Sequence, residues 1–208
     1  LVGTKGTAPN SFEAMGGWST TALTTAGSPF YISGVLNASA YVANNSLGTP
    51  THAVINLGIN DCFGAASDAA ATLAARTAVA NIAKLVTMLD VAYPAIKIAI
   101  ACTTPGSYSQ DAFGKNYGTG QPMRRYRRNI AILWRQVLDA FGGQTARLLW
   151  VLPYNVSVDT ERNMSTETVP ANSRNSATVT RQSNGVHPAD TGYKQVSDVL
   201  WAWLKNVG

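Results

Sequence analysis

The sequence predicts an α/β protein in which helices cover both faces of a parallel sheet. Three apolar segments lack polar alternation, which is typical of strands that are buried on both faces. Amphipathic helical segments separate these strands, and the crossover connections that result make neighbouring strands parallel. A length of 208 residues favours a single domain that spans residues 1–208.

Four segments are predicted as strands. The first is the short stretch from Leu1 to Gly3. The other three are rich in Ile, Val, Leu and Ala, and they are Ala53 to Leu57, Ile96 to Ala101 and Leu148 to Leu152. Because their apolar residues do not alternate with polar ones, we expect these three at the centre of the sheet.

Three helices follow from hydrophobic periodicity. The first, Ser67 to Val91, has Ser67 or Asp68 as its N-cap, and its buried face carries Ile82, Leu85, Val86 and Leu89. The second, Met123 to Phe141, ends at two glycines. The third, Thr191 to Lys205, closes the chain.

Two long segments show no regular pattern. They are Thr103 to Gln121 and Asn155 to Asn184, and each follows the carboxyl end of a predicted strand. Ligands of open α/β sheets bind at that edge, so we expect these loops to contribute to a functional site.

The composition limits the class of protein. Apolar residues make up 46% and charged residues 13% of the chain, as in globular rather than disordered proteins. No run of about 18 apolar residues occurs, and no signal peptide is visible, so a membrane is not expected as a partner. The chain starts with Leu1 rather than Met, which favours a piece of a longer protein.

Cysteine and histidine are scarce. Cys62 and Cys102 are too few for a disulfide framework, and they are compatible with free thiols at strand ends. The two histidines lie in no cluster with ligand spacing, so neither a metal site nor another cofactor is expected.

Positive charge is concentrated in one run. The net charge is +5, and four arginines lie close together at Arg124, Arg125, Arg127 and Arg128. The run is compatible with a solvated helix start or with a patch for an anionic partner such as an acidic polysaccharide. Nucleic acid is not expected, because no known nucleic-acid-binding motif accompanies the run.

The stretch Gly58-Ile59-Asn60-Asp61 ends the second predicted strand. Gly58 permits backbone angles that direct an N–H into a cleft, and Asn60 offers amide donors that can stabilise an oxyanion. Asp61 is expected to brace the turn. An ordinary strand-ending turn is the alternative, since Gly, Asn and Asp are common there.

Two further motifs lie at the same predicted edge of the sheet. His187, in the stretch Asn184-Gly185-Val186-His187-Pro188, is a candidate general base, and Asn184 can hydrogen-bond an imidazole without neutralising its positive charge. Gly17, in Gly16-Gly17-Trp18, can supply a second backbone N–H to an oxyanion. His52 lies at the opposite edge and is given no role.

Together, in this order, these segments resemble the SGNH (GDSL-type) hydrolase family, in its bacterial and phage-tail branch. Gly17 falls on the glycine of the family's second block. Gly58, Asn60 and Asp61 match the third block, Gly-x-Asn-Asp, while Asn184 and His187 fall on the fourth, Asp-x-x-His. The resemblance covers nearly the whole chain and depends on the order and spacing of the motifs.

The resemblance implies a three-layer α/β/α sandwich and a serine-type ester hydrolase. His187 would be the general base, supported by Asn184. Gly17, Gly58 and Asn60 would form the oxyanion hole.

The sequence departs from the family at two points. No Gly-Asp-Ser occurs in it, so the nucleophile and the family's first strand are expected upstream of Leu1. The sheet would then have a position that an N-terminal segment or another chain completes. In addition, Asn184 replaces the acid, so either another group orients His187 or the site is weakened.

The expected substrate is an acylated glycan, and the expected place of action is a virion tail or a cell surface. Tyr108, Phe113 and Tyr117 lie in the first long loop and would either stack on sugar rings or anchor the loop by packing. The alternative function is a catalytically inactive glycan-binding or structural tail module on the same scaffold.

Overall fold

The structure is a computed structural model that describes residues 4–7, 10–13, 16–113 and 122–207. Its strands are β1 (Thr4–Thr7), β2 (Asn10–Glu13), β3 (Tyr31–Ile32), β4 (Val35–Leu36), β5 (His52–Ile55), β6 (Lys97–Ala101), β7 (Leu149–Leu152), β8 (Thr166–Pro170) and β9 (Thr178–Gln182). Its α-helices are α1 (Thr20–Leu23), α2 (Ala38–Asn44), α3 (Ile59–Cys62), α4 (Asp68–Ala92), α5 (Met123–Phe141), α6 (Tyr154–Ser157) and α7 (Asp190–Val207). Short 3-10 helices span Gln110–Phe113 and Thr145–Arg147.

The centre of the fold is a parallel sheet in the order β5-β6-β7, so the predicted α/β class and parallel strands are confirmed. The strands differ from their predicted limits by one or two residues. Strand β7 starts after Leu148 because that residue has a left-handed φ of 56°, which an extended strand excludes.

Helices pack against both faces of this sheet. Along β6, Ile98 and Ile100 lie in a core with α4 and α5, whereas Ala99 and Ala101 lie in a second core with Trp203 of α7. This division follows from the alternation of side chains along a strand. The burial of β5 is less complete than predicted, because Val54 is 40% exposed.

Helix α4 begins where the sequence predicts. Ser67 is the N-cap, and its hydroxyl accepts a hydrogen bond from the Ala70 N–H at 3.2 Å. By length and composition alone, α4 could cross a membrane, with an 18-residue window of mean hydropathy 1.2. Its buried residues, including Ile82 and Leu85, pack in the core with α5 and the sheet, as expected for the central helix of a globular domain.

Helix α5 spans the predicted residues, and two of the four clustered arginines stabilise its N-terminal end. Arg125 and Arg128 both bind the carboxylate of Asp68, at 2.6 and 2.8 Å, and thereby join the first turns of α5 and α4. These hydrogen bonds hold the pKa of Asp68 below its ordinary value. Arg124 is exposed and Arg127 is half-buried.

Three parts of the prediction need correction or lie beyond the described residues. The stretch 155–184 contains an antiparallel hairpin, β8 with β9, and β1 pairs antiparallel with β2. The first was missed because its strands are Thr-rich and mostly exposed, so they carry no apolar pattern. The predicted strand Leu1 to Gly3 lies outside the described residues.

Both cysteines are free, as the sequence allowed, and both are buried, but only Cys102 lies at the end of a strand. Cys62 ends α3 and Cys102 follows β6. Burial raises the pKa of the Cys62 thiol to about 12 and that of Cys102 to about 11, so both remain protonated at neutral pH.

Candidate functional site

The turn after β5 requires glycine at position 58. Gly58 has a left-handed φ of 109° and is the N-cap of α3. A β-carbon at this position would lie 2.8 Å from Cδ2 of Leu133 on α5. The turn therefore sits directly on α5, and both its backbone angles and its close approach exclude a side chain.

Asn60 and Asp61 join this turn to the segment that contains Gly17. The Asn60 Nδ2 donates to the carbonyl oxygen of Trp18 at 3.0 Å. The Asp61 carboxylate accepts from the Thr20 N–H at 2.9 Å and from the Thr20 hydroxyl at 2.6 Å. Asp61 thus braces the turn, as the sequence predicted.

Behind this contact lies a series of hydrogen-bonded polar side chains that the sequence did not predict. Thr20 is fully buried, and its hydroxyl also accepts from Nδ2 of Asn81 at 3.2 Å. Lys84 in turn donates to Oδ1 of Asn81 at 2.9 Å. Asn81 lies on the buried side of α4, where an amide among apolar residues is the only sign that could have indicated a polar partner.

The predicted oxyanion donors consequently share one small region. Gly17 has a φ of 76° and is exposed, with open space around its α-carbon. Asn60 is also exposed, whereas Gly58 is buried. The hydrogen bond from Asn60 to Trp18, the residue after Gly17, keeps the two segments adjacent.

His187 is exposed on the loop that leads into α7. Its Nδ1 lies 3.2 Å from the hydroxyl of Tyr193. Partial desolvation lowers the pKa of the His187 imidazole below its ordinary value, which favours the neutral form that a base needs.

Asn184 supports the backbone of this loop. Its Oδ1 accepts from the N–H groups of Val186 and His187, at 3.0 and 2.8 Å. The side chain therefore folds the turn that presents His187. The hydrogen bond to the imidazole ring that the sequence allowed for Asn184 stays a prediction.

A second set of contacts joins the His187 loop to the loop after β6. The Gly185 carbonyl accepts from the Ser107 N–H at 2.9 Å. The Gln182 side chain binds the Ser107 hydroxyl and the Ser109 N–H, and it donates to the carbonyls of Thr160 and Glu161. Gln182 is buried, so this one amide holds three loops together.

Helix α5 supports both halves of the site. Leu133 of α5 contacts Gly58. Tyr126 of the same helix packs on Phe113, with ring centroids 5.3 Å apart. Phe113 in turn fills the space beside Gly185, where a β-carbon would lie 2.7 Å from its ring. The turn after β5 and the His187 loop thus rest on one common element.

The three aromatic residues predicted to bind substrate have different positions. Tyr108 is 61% exposed and available to a ligand. Phe113 is fully buried, so it is a packed anchor of its loop and cannot stack on a sugar. Tyr117 lies outside the described residues.

The remaining candidates for chemistry are absent or distant. His52 lies at the start of β5, against Trp203 and away from the turn at Gly58. Among the described residues, no group of three or more His, Cys, Asp or Glu side chains is placed to hold a metal ion.

No known protein-family model matches the chain, and no curated protein matches it either.

Proposed function

We propose that the protein is a serine-type ester hydrolase with an SGNH-like α/β/α architecture, acting on an acylated glycan. One observation carries the proposal: Asn60 and Asp61, next to each other after β5, both bind the segment that contains Gly17. An oxyanion hole needs donors from separate segments held at fixed positions before the reaction starts. Asn60 and the backbone at Gly17 and Gly58 are the donors that we propose for this role.

The chemistry follows the acyl-enzyme route. A serine hydroxyl supplied from upstream of Leu1 attacks the acyl carbonyl carbon, and Nε2 of His187 takes its proton. The negative charge that develops on the carbonyl oxygen is stabilised by Asn60 and the backbone donors, worth about 2.7–4 kcal/mol for each donor. His187 passes the proton to the departing sugar oxygen, and water then hydrolyses the acyl-enzyme.

The open side of β5 is the place we propose for the segment that bears the nucleophile. Among the described residues, β5 pairs only with β6, and Val54 remains 40% exposed. A parallel strand added there would end beside Gly58, since carboxyl ends of parallel strands meet at one edge. An upstream segment or another chain can supply it. A stable, soluble monomer formed by the 208-residue chain alone would count against this step.

A glycan substrate is supported by the surroundings of His187. Tyr108 is exposed on the loop after β6, and the hairpin of β8 and β9 ends at Gln182, five residues before His187. These features suit a polar, extended ligand better than a small apolar ester.

The first experiment is turnover of p-nitrophenyl acetate and of an O-acetylated polysaccharide by the longer protein. His187→Ala should reduce kcat by about 10²–10⁴-fold, the usual contribution of a general base. His52→Gln is the matched control, because it changes the other histidine of the chain and should leave the rate unchanged. Equal rates for His187→Ala and the unaltered protein would show that the assigned base is wrong.

A catalytically inactive glycan-binding or structural tail module is the second candidate. The observation that favours it is the position of Asn184, whose oxygen serves the backbone where a hydrolase of this type has a carboxylate. Binding of the polysaccharide without release of acetate, together with the absence of a Gly-Asp-Ser upstream, would support this function over the enzyme.

A further inference from the structure

The missing acid leaves the question of what holds the imidazole of His187. The structure places the Tyr193 hydroxyl 3.2 Å from Nδ1, the ring atom that a carboxylate binds in serine hydrolases. We propose that Tyr193 is the positioning residue for His187. In this role the phenolic oxygen of Tyr193 accepts a hydrogen bond from the Nδ1–H of His187. This inference rests on the proposed function, in which Nε2 is the base.

Both partners of this contact are held by their backbones. The His187 N–H is bound by Asn184 at 2.8 Å. The Tyr193 N–H donates to the Ala189 carbonyl at 3.0 Å in the first turn of α7. Between them, a β-carbon on Gly192 would lie 2.5 Å from the Asn163 carbonyl oxygen, so this turn packs without space against the preceding loop. The backbone at Tyr193 is therefore held in place, and its hydroxyl lies beside the ring of His187.

The direction of the hydrogen bond decides whether His187 can act. Neutral imidazole carries one proton, so Nε2 has a lone pair that can accept a proton only when Nδ1 is the protonated nitrogen. The Tyr193 oxygen accepts the hydrogen bond that the protonated Nδ1 donates. The hydroxyl proton of Tyr193 can then point to solvent, because the residue is 45% exposed. Desolvation raises the pKa of Tyr193 above its ordinary value, so the phenol stays neutral at the pH where His187 acts.

A phenol differs from a carboxylate in one respect that matters for the rate. It fixes the tautomer and the ring plane, but it has no negative charge to stabilise the imidazolium that forms when Nε2 takes a proton. The proposed site is therefore oriented but only weakly activated.

Histidine ¹⁵N NMR of the longer protein tests the contact directly, with the signals of His52 and His187 assigned from the His52→Gln and His187→Ala variants. We expect His187 to show a protonated Nδ1 and an unprotonated Nε2 near neutral pH. Tyr193→Phe should move the His187 nitrogens toward a mixture of tautomers, whereas Tyr93→Phe, at the end of α4, should leave them unchanged. His52 is the internal reference in each spectrum.

An Nε2–H form in the unaltered chain would overturn the proposal, and so would identical His187 signals in Tyr193→Phe. Kinetics of the longer protein separate this proposal from the proposed function. Tyr193→Phe should lower kcat about tenfold, the effect expected from one lost hydrogen bond, with little change in KM. If His187→Ala abolishes turnover and Tyr193→Phe does not lower it, the positioning role fails and the function stands. If His187→Ala has no effect, the function fails, and the NMR result alone decides the contact.

Discussion

Replacing Gly58 by alanine probes the turn on which the proposed oxyanion hole depends. The residue has a φ of 109°, and a left-handed conformation costs a residue with a β-carbon about 1–2 kcal/mol. The added methyl would also lie 2.8 Å from Cδ2 and 3.2 Å from Cδ1 of Leu133, and overpacking of this kind costs about 1–3 kcal/mol. We therefore expect a total loss of about 2–5 kcal/mol in the free energy of unfolding.

Urea unfolding followed by tryptophan fluorescence measures this loss. With an m-value of about 2–3 kcal/mol per molar, the midpoint should fall by roughly 1–2 M. Gly64→Ala is the matched control, because Gly64 has open space around it and no positive φ. That control should be neutral or stabilise the protein by less than about 1 kcal/mol.

A double-mutant cycle separates the two causes. Leu133→Ala removes the methyl groups that the new β-carbon meets, so in that background Gly58→Ala should cost less by about 1–3 kcal/mol, while the backbone cost remains. A loss below about 1 kcal/mol for Gly58→Ala in the unaltered background would refute the assigned geometry of the turn.

Three more predictions concern the surroundings of the site. Asp61→Ala leaves the N–H and hydroxyl of buried Thr20 without their acceptor, so unfolding by urea should show a loss of about 2–4 kcal/mol, against less than about 0.5 kcal/mol for the exposed Asp139→Ala. Because raised pKa values reduce the thiolate fraction at a given pH, Cys62 and Cys102 should stay unreactive to a disulfide reagent at pH 8 until the chain unfolds; rapid labelling of the folded chain would contradict their burial. Asn184→Asp keeps an acceptor for both backbone N–H groups and adds a negative charge beside His187, which favours the imidazolium. An NMR titration should therefore show a higher pKa for His187 and an unchanged one for His52, and no upward change would contradict the position assigned to residue 184.

The elements that the sequence predicted well are those with a strong local pattern. Helix α5 has the predicted limits, and α4 begins after its predicted N-cap, because apolar periodicity and capping chemistry lie within a few neighbouring residues. The β8–β9 hairpin escaped prediction for the opposite reason. Its strands pair with each other but bury little, so no apolar alternation records them.

The sequence supplied candidate residues for the site, whereas their contacts came only from the structure. Gly58, Asn60 and His187 were identified from the chemistry that their side chains or backbone angles allow. The ambiguity at Phe113 needed the fold, since an aromatic residue in a Gly-rich loop has the same sequence signature whether it is buried or exposed. Tyr193 lies within the helix predicted to close the chain, and its hydroxyl near His187 was not anticipated.

By itself, the sequence determined the α/β class, the principal helices and the need for glycine in the turn after β5, because each depends on local backbone preference and periodic burial. Only the tertiary structure decided which groups meet. The Asp61 carboxylate binds Thr20 across 41 residues of chain, and Asn60 binds Trp18 across 42. Such contacts arise when α4 and α5 pack on the sheet and bring distant segments to one edge, and no pattern within a short window of sequence contains that information.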